Sequence, residues 1–104
     1  MGKTVEYVVV LDEGIRKRHR HEIERKQVAS FVVQLEVLTG PNWSPVVRYD
    51  CAHGFCHRDA YNRRGRQTKS AVALGFTHAL TFADWDINEH WETYCDRFMK
   101  GRTP

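Results

Sequence analysis

Ala29-Ser30-Phe31-Val32-Val33-Gln34-Leu35-Glu36-Val37 is the stretch that decides the fold, because apolar residues recur at every second position along it. Successive side chains of an extended strand point to opposite faces of a sheet. The odd-numbered residues therefore share one face, and Ser30, Gln34 and Glu36 share the other. We predict a β-strand whose odd-numbered residues line the core.

Further strand-like runs lie on both sides of this stretch. The turn at Thr39-Gly40-Pro41-Asn42 ends it, and the turn at Asn62-Arg63-Arg64-Gly65 separates two later runs, because glycine, proline and asparagine favour turn conformations. Asp12-Glu13-Gly14 closes the first run of the chain. Residues 5–11, 46–51 and 56–61 are predicted strands, and a short fifth strand could follow near 69–74. Residues 17–25 alternate less cleanly but could also extend.

The C-terminal segment predicts a helix that begins at Thr81 and ends before Gly101. Thr81 is suited to cap the helix, Leu80 and Trp85 to form a hydrophobic staple, and Gly101 to end the last turn. An apolar stripe at helical spacing would pack on the sheet: Ala83, Ile87, Trp91, Tyr94 and Phe98. We therefore predict one α+β domain over residues 1–104, an antiparallel β-meander of four to five strands with this helix packed on one face.

Composition places the chain among ordinary globular proteins. With 104 residues, of which 41% are hydrophobic, it is long enough for one modest core. The three cysteines are an odd number, and no apolar run is long enough for a signal peptide or a membrane span. We expect a cytoplasmic location and no membrane partner.

Charge is distributed unevenly along the chain, although the net charge is only +3. Residues 16–26 and 58–69 are rich in arginine and lysine, whereas residues 84–96 are acidic. Such polarity suits a partner that carries phosphates, and RNA is the expected one. A solvated charged face is the alternative.

The segment from Arg48 to Asp59 concentrates the residues that could carry chemistry. If His53-Gly54 is a two-residue hairpin loop, Asp50 lies opposite His57 and Arg48 lies opposite Asp59 on the same face. A carboxylate beside a histidine fixes the tautomer of the ring and leaves its other nitrogen for proton transfer. The pairs form an acid/base site or, alternatively, only stabilise the hairpin.

The same segment offers Cys51, His53, Cys56 and His57 as zinc ligands. Strand parity directs the two cysteines to the face opposite His57, so they are expected to pack in the core, as is Cys95. We predict no metal and no cofactor. A nucleophile elbow and a phosphate-binding glycine loop are both absent from the sequence.

Several motifs carry a resemblance to known families. Val33-Gln34-Leu35-Glu36, residues 46–50, Ala52-His53-Gly54 and His57-Arg58-Asp59 resemble a small uncharacterised prokaryotic domain family with an Arg-Tyr-Asp-x-Ala-His-Gly-x-x-His-x-Asp signature. The segment is more distantly similar to the TumE-like toxin components of toxin–antitoxin pairs. That similarity implies an RNA-directed growth inhibitor with a cognate antitoxin-like partner, and Arg48, Asp50, His53 and His57 match its motif.

The leading expectation is a toxin-like, metal-independent RNA-processing protein. Its catalytic residues would be His57, Asp50, Arg48 and His53, and its phosphate contacts would be Arg58, Lys69 and Arg64. One alternative is a non-catalytic module that binds RNA or an acidic protein through basic residues such as Arg63, Arg64 and Arg66. Another is a structural domain that forms homodimers through an unpaired sheet edge.

Overall fold

The computed structural model describes residues 2–51 and 54–104, and in them an antiparallel sheet carries one long helix. The strands follow one another across the sheet in chain order, which is the predicted meander. The elements are β1 (Lys3–Asp12), β2 (Ile15–Glu24), β3 (Gln27–Thr39), β4 (Asn42–Asp50), β5 (Cys56–Tyr61), β6 (Gln67–Val72) and α1 (Phe76–Met99).

The sheet has six strands, so the predicted number of four to five was too low. The weakest runs of the sequence account for the difference. β2 consists largely of charged and histidine residues, and β6 is exposed over all but its last residue. Neither strand shows the apolar alternation that identifies β3. Both are strands because of backbone hydrogen bonds and neighbouring strands, which the pattern of their own residues does not reveal.

The core lies between α1 and one face of the central strands. Phe31, Val33, Leu35 and Val37 are buried there, as their spacing predicts. Burial of each such side chain contributes about 1.5–3 kcal/mol. Ala29 is exposed, because the register between β2 and β3 shifts at this point and leaves it without a partner residue on β2.

The helix begins six residues earlier than the sequence predicts, counted from N-cap to N-cap. Gly75 is the N-cap and makes no side-chain capping bond, so Thr81 is not the cap. Thr81 lies inside the helix, where its hydroxyl donates to the carbonyl oxygen of Thr77 at 3.2 Å. Leu80 and Trp85 both lie inside the helix, so the predicted hydrophobic staple around Thr81 is also wrong. Within the described residues, no helix has the length and apolar character needed to cross a membrane.

The C-terminal end of the helix agrees with the prediction. Gly101 has a φ of 75°, the left-handed conformation that glycine adopts easily, and its amide donates to the carbonyl oxygen of Phe98. The side-chain amide of Asn62 donates in turn to the carbonyl oxygen of Gly101 at 3.1 Å. The turn between β5 and β6 is thereby attached to the end of α1.

Candidate functional site

The face of the sheet that points away from α1, here called the open face, is built from two adjacent rows of residues that cross all six strands. Strand register defines both rows. The first row, from β1 to β6, is Glu6, Arg20, Val32, Asp50, His57 and Ala71. The second row is Val8, Arg18, Gln34, Arg48, Asp59 and Lys69.

The β4–β5 pairing brings Asp50 and His57 into direct contact. The predicted register is correct, with Asp50 opposite His57 and Arg48 opposite Asp59. Nε2 of His57 lies 2.8 Å from Oδ1 of Asp50. In the neutral tautomer that donates Nε2–H to this carboxylate, the lone pair of the ring lies on Nδ1.

Arg48 is oriented toward Asp50 rather than toward Asp59. Its Nε donates to Oδ2 of Asp50 at 2.8 Å, and its Nη1 donates to the side-chain oxygen of Gln34 at 3.2 Å. The cation beside Asp59 is Lys69, whose Nζ lies 3.9 Å from Oδ1. Asp50 therefore holds both the histidine and the arginine of the predicted site.

Two polar side-chain atoms of the described residues are buried without a hydrogen-bond partner, and both belong to this region: Nδ1 of His57 and Oδ1 of Asp59. Both residues are only 5% exposed. Buried polar atoms are nearly always paired, because leaving one unsatisfied costs about 1–3 kcal/mol. Such atoms are unusual in a region that serves stability alone.

The open face continues from Arg48 into a cleft of about 170 Å³. Glu6 on β1 contributes a carboxylate to its lining, and three arginines contribute positive charge: Arg18, Arg20 and Arg48. We call this the basic cleft. Arg48 belongs both to the basic cleft and to the Asp50–His57 contact, so the two features are continuous.

A buried carboxylate fixes the next part of the open face. Glu36 is 3% exposed and accepts hydrogen bonds from Arg16 Nε at 2.7 Å and Gln34 Nε2 at 2.5 Å. Arg18 Nη1 reaches the same carboxylate at 3.3 Å. Because Gln34 also accepts from Arg48, one chain of hydrogen bonds runs from Glu36 to His57. This network orients the arginines before any ligand arrives.

The structure does not bring together all of the predicted site residues. His53 lies outside the described residues. Arg58 points to the helix side of the sheet, where its Nε donates to the hydroxyl of Tyr49 at 3.2 Å. Arg64 lies in the β5–β6 turn, beside Gly101 at the end of α1. Of the three predicted phosphate contacts, only Lys69 shares the open face with His57.

The cysteines are separated from His57, as strand parity predicts. Cys51 is buried and its sulfur accepts the amide hydrogen of Phe31 at 3.0 Å. Burial raises the pKa of Cys56 to about 11. The zinc set of Cys51, Cys56 and His57 is therefore not assembled on one face. A different group is close enough to hold a cation: one ligand atom each from Asp50, His57 and Asp59 lies within 4.8 Å of the other two.

A second polar cluster, on the helix side, was not identified from the sequence. Asp86 is 5% exposed, and its carboxylate accepts the hydroxyls of Tyr49 and Tyr94, each at 2.6 Å, and Nδ1 of His90 at 2.9 Å. Burial and the Asp86 carboxylate raise the pKa of Tyr49 well above its ordinary value. The spacing of Asp86, His90 and Tyr94 by four residues was the signal available in the sequence.

Fold and site together define a small α+β protein with a meander sheet, one packed helix and an arginine-rich open face around a carboxylate–histidine pair. The chain belongs to the family described as Domain of unknown function (DUF7718), whose model matches residues 1–104. It matches no curated protein and no solved structure.

Proposed function

We propose that the protein processes RNA, with the open face as the RNA-binding surface and His57 as the general base. The observation that carries the proposal is the 2.8 Å contact between Asp50 Oδ1 and His57 Nε2, in the same row of residues as Arg20 of the basic cleft. A histidine oriented by a carboxylate beside preformed cations is the arrangement that proton transfer next to a phosphate requires.

In this mechanism Asp50 is a positioning residue and His57 is the catalytic residue. Nδ1 of His57 takes the proton of a ribose 2′-hydroxyl, and the 2′-oxygen attacks the adjacent phosphorus. The bond to the 5′-oxygen breaks, the leaving oxygen takes a proton from water, and a cyclic phosphate remains. Arg48 and Lys69 stabilise the charge that develops on the phosphate oxygens.

The burial of Nδ1 sets a condition on this mechanism, because substrate can reach that atom only when the side chains above it move. Phe55 borders the His57 ring, with ring centroids 5.7 Å apart, and the residue is 53% exposed. An exposed ring at this position also offers a surface on which a base can stack, with about 1–3 kcal/mol per stacked base.

Cleavage of a labelled single-stranded RNA in the presence of EDTA tests the proposal. The wild type should cleave, and His57→Gln should lose cleavage while binding RNA within about twofold of the wild type, because RNA affinity comes from cations. Arg18→Gln combined with Arg20→Gln should weaken binding and reduce the slope of log affinity against log salt by roughly 1.4, or 0.7 for each phosphate that the variant no longer neutralises.

A matched double substitution at the β5–β6 turn, Arg63→Gln with Arg66→Gln, removes the same charge from another surface. If His57→Gln cleaves as fast as the wild type, the acid/base mechanism is wrong. If the substitutions at Arg63 and Arg66 weaken RNA binding more than those at Arg18 and Arg20, the open face is not the RNA surface.

The second candidate function is a non-catalytic module that binds RNA through the basic cleft. The 5% exposure of His57 favours it, because a ring that solvent barely reaches can serve to hold Asp50 and Arg48 in place. In that case the double substitution of Arg18 and Arg20 weakens RNA binding as described above. Neither the wild type nor His57→Gln cleaves RNA.

A further inference from the structure

We infer that His57 and Asp59 bind a divalent transition-metal ion such as Zn²⁺, with Asp50 orienting the His57 ring, and that this ion inhibits the RNA-processing site. Binding of the ion depends only on the geometry of the three residues, whereas the inhibition rests on the proposed function. The inference assigns a role to Asp59, which the acid/base mechanism does not use.

The three side chains are already close together and shielded from solvent. One ligand atom from each lies within 4.8 Å of the others, and the residues are 7%, 5% and 5% exposed. They come from two neighbouring strands, with Asp50 on β4 and the other two on β5. A small adjustment of side chains brings His57 and Asp59 to metal-ligand distances, since no strand has to move.

Two buried atoms of this group lack hydrogen-bond partners among the described residues, and these point to a ligand independently of the clustering. They are Nδ1 of His57 and Oδ1 of Asp59. An imidazole nitrogen with a lone pair and a carboxylate oxygen are both good donors to a divalent transition metal. One ion satisfies both atoms at once.

The contact between Asp50 and His57 is also the arrangement found around metal-bound histidines. A ligating histidine usually donates its other ring N–H to a carboxylate, which fixes the tautomer and makes the ligating nitrogen more basic. Here Nε2 lies 2.8 Å from Asp50 Oδ1, which leaves Nδ1 for the ion. The neighbouring cation, Lys69, has a side chain that is 60% exposed and can turn toward solvent when the ion binds.

The ion and the substrate proton compete for the same lone pair. When Zn²⁺ occupies Nδ1, His57 cannot accept the proton of a 2′-hydroxyl. Zinc should therefore inhibit RNA cleavage without displacing RNA from the basic cleft. Mg²⁺ should bind this site weakly, because it prefers an all-oxygen, octahedral ligand set.

Thermal unfolding of the metal-free protein with added Zn²⁺ tests the binding without any RNA. A hundredfold excess over the dissociation constant should raise the Tm by roughly 10 °C or more. His57→Gln and Asp59→Asn should each remove most of this rise. The quantity compared is the rise caused by zinc within each variant, so a change in the stability of the variant itself does not confuse the result.

Two histidine substitutions serve as controls. His21→Gln tests a second place where zinc could bind, the close imidazoles of His19 and His21, whose ring nitrogens are 2.6 Å apart. His78→Gln removes an exposed histidine of α1. Both controls should retain the rise in Tm. Loss of the rise in His21→Gln with retention in Asp59→Asn would overturn the assignment.

Co²⁺ identifies the ligands spectroscopically. Binding at His57 and Asp59 should give weak visible bands without the intense near-ultraviolet band of cobalt–thiolate bonds. A thiolate band would mean that a cysteine ligates, and the inference would be wrong. No change in Tm and no cobalt spectrum would also overturn it, and that result would leave the RNA cleavage measured in EDTA unaffected. Conversely, a protein that binds zinc but never cleaves RNA would refute only the proposed function.

Discussion

At the scale of single residues, Asp86 shows how one buried carboxylate connects the sheet to the helix. It belongs to α1, yet one of its hydrogen-bond partners, Tyr49, is on β4. Nε of Arg58 on β5 also lies 4.0 Å from Oδ2. Because these donors meet on one carboxylate, its removal leaves the Tyr49 and Tyr94 hydroxyls without their acceptor and the Arg58 guanidinium without this counter-ion.

Asp86→Ala should therefore lower the free energy of unfolding by about 3 kcal/mol, since breaking a buried ion pair costs far more than breaking an exposed one. The measurement is urea denaturation at neutral pH. Asp96→Ala, on the same helix, is the matched control: its side chain is 60% exposed and pairs with Lys100 at 3.0 Å, so the change should stay within about 0.5 kcal/mol. Equal decreases in the two variants would contradict a special role for Asp86.

The sequence predicts which residues face one another at the candidate site, but not which side chains bond to one another. The contact of Asp50 with His57 follows from parity and from the length of the loop. The orientation of the Arg48 side chain toward Asp50 does not follow from the sequence. It depends on Gln34 and Glu36 of β3, and the register of β3 with β4 shifts at a bulge near Glu36. Arg58 was expected at the phosphate, although parity alone places it on the helix side with Tyr49.

At the scale of elements, the start of α1 is where the sequence prediction and the structure differ most. Thr81 has the side chain of a capping residue, but local preference is weaker than packing. Ala79 and Leu80 are buried, so the turn that precedes Thr81 is held against the sheet. The helix therefore begins at Phe76, directly after the N-cap Gly75 and shortly after β6 ends at Val72.

Thr81→Ala distinguishes the two positions of the helix start by the sign of its effect. If Thr81 is an exposed residue inside the helix, its replacement by alanine should raise the free energy of unfolding by up to about 0.5 kcal/mol, because alanine has the higher helix propensity. Replacement of a capping threonine would instead cost about 1 kcal/mol. A clear decrease in stability would mean that the helix begins at Thr81 after all.

At the scale of the whole molecule, the long β1–β2 hairpin is joined to α1 through buried polar groups. Lys17 and His19 are 4% and 3% exposed, and both contact Asp84 on the helix. Tyr7 stacks on the His19 ring with centroids 4.4 Å apart. Burial holds the pKa of His19 below the ordinary value of 6.5, against the opposing effect of Asp84.

The pH dependence of stability follows from this lowered pKa. Below pH 6.5 the unfolded chain takes up a proton at His19 that the folded protein takes up only at lower pH, so stability should fall as the pH falls. Urea denaturation at pH 7.5 and at pH 5.5 measures the decrease. The decrease should be smaller in His19→Gln and unchanged in His78→Gln. An equal decrease in all three proteins would show that other groups control the acid response.

The meander order of the strands also affects how the chain folds as it is synthesised. Each strand pairs with its neighbours in the sequence, so hairpins can close one after another from β1 to β6 with short loops. The helix that covers Val33 and Leu35 follows all six strands. A nascent chain therefore presents an apolar sheet face to its surroundings until α1 leaves the ribosome, and ribosome-associated chaperones have that interval in which to act.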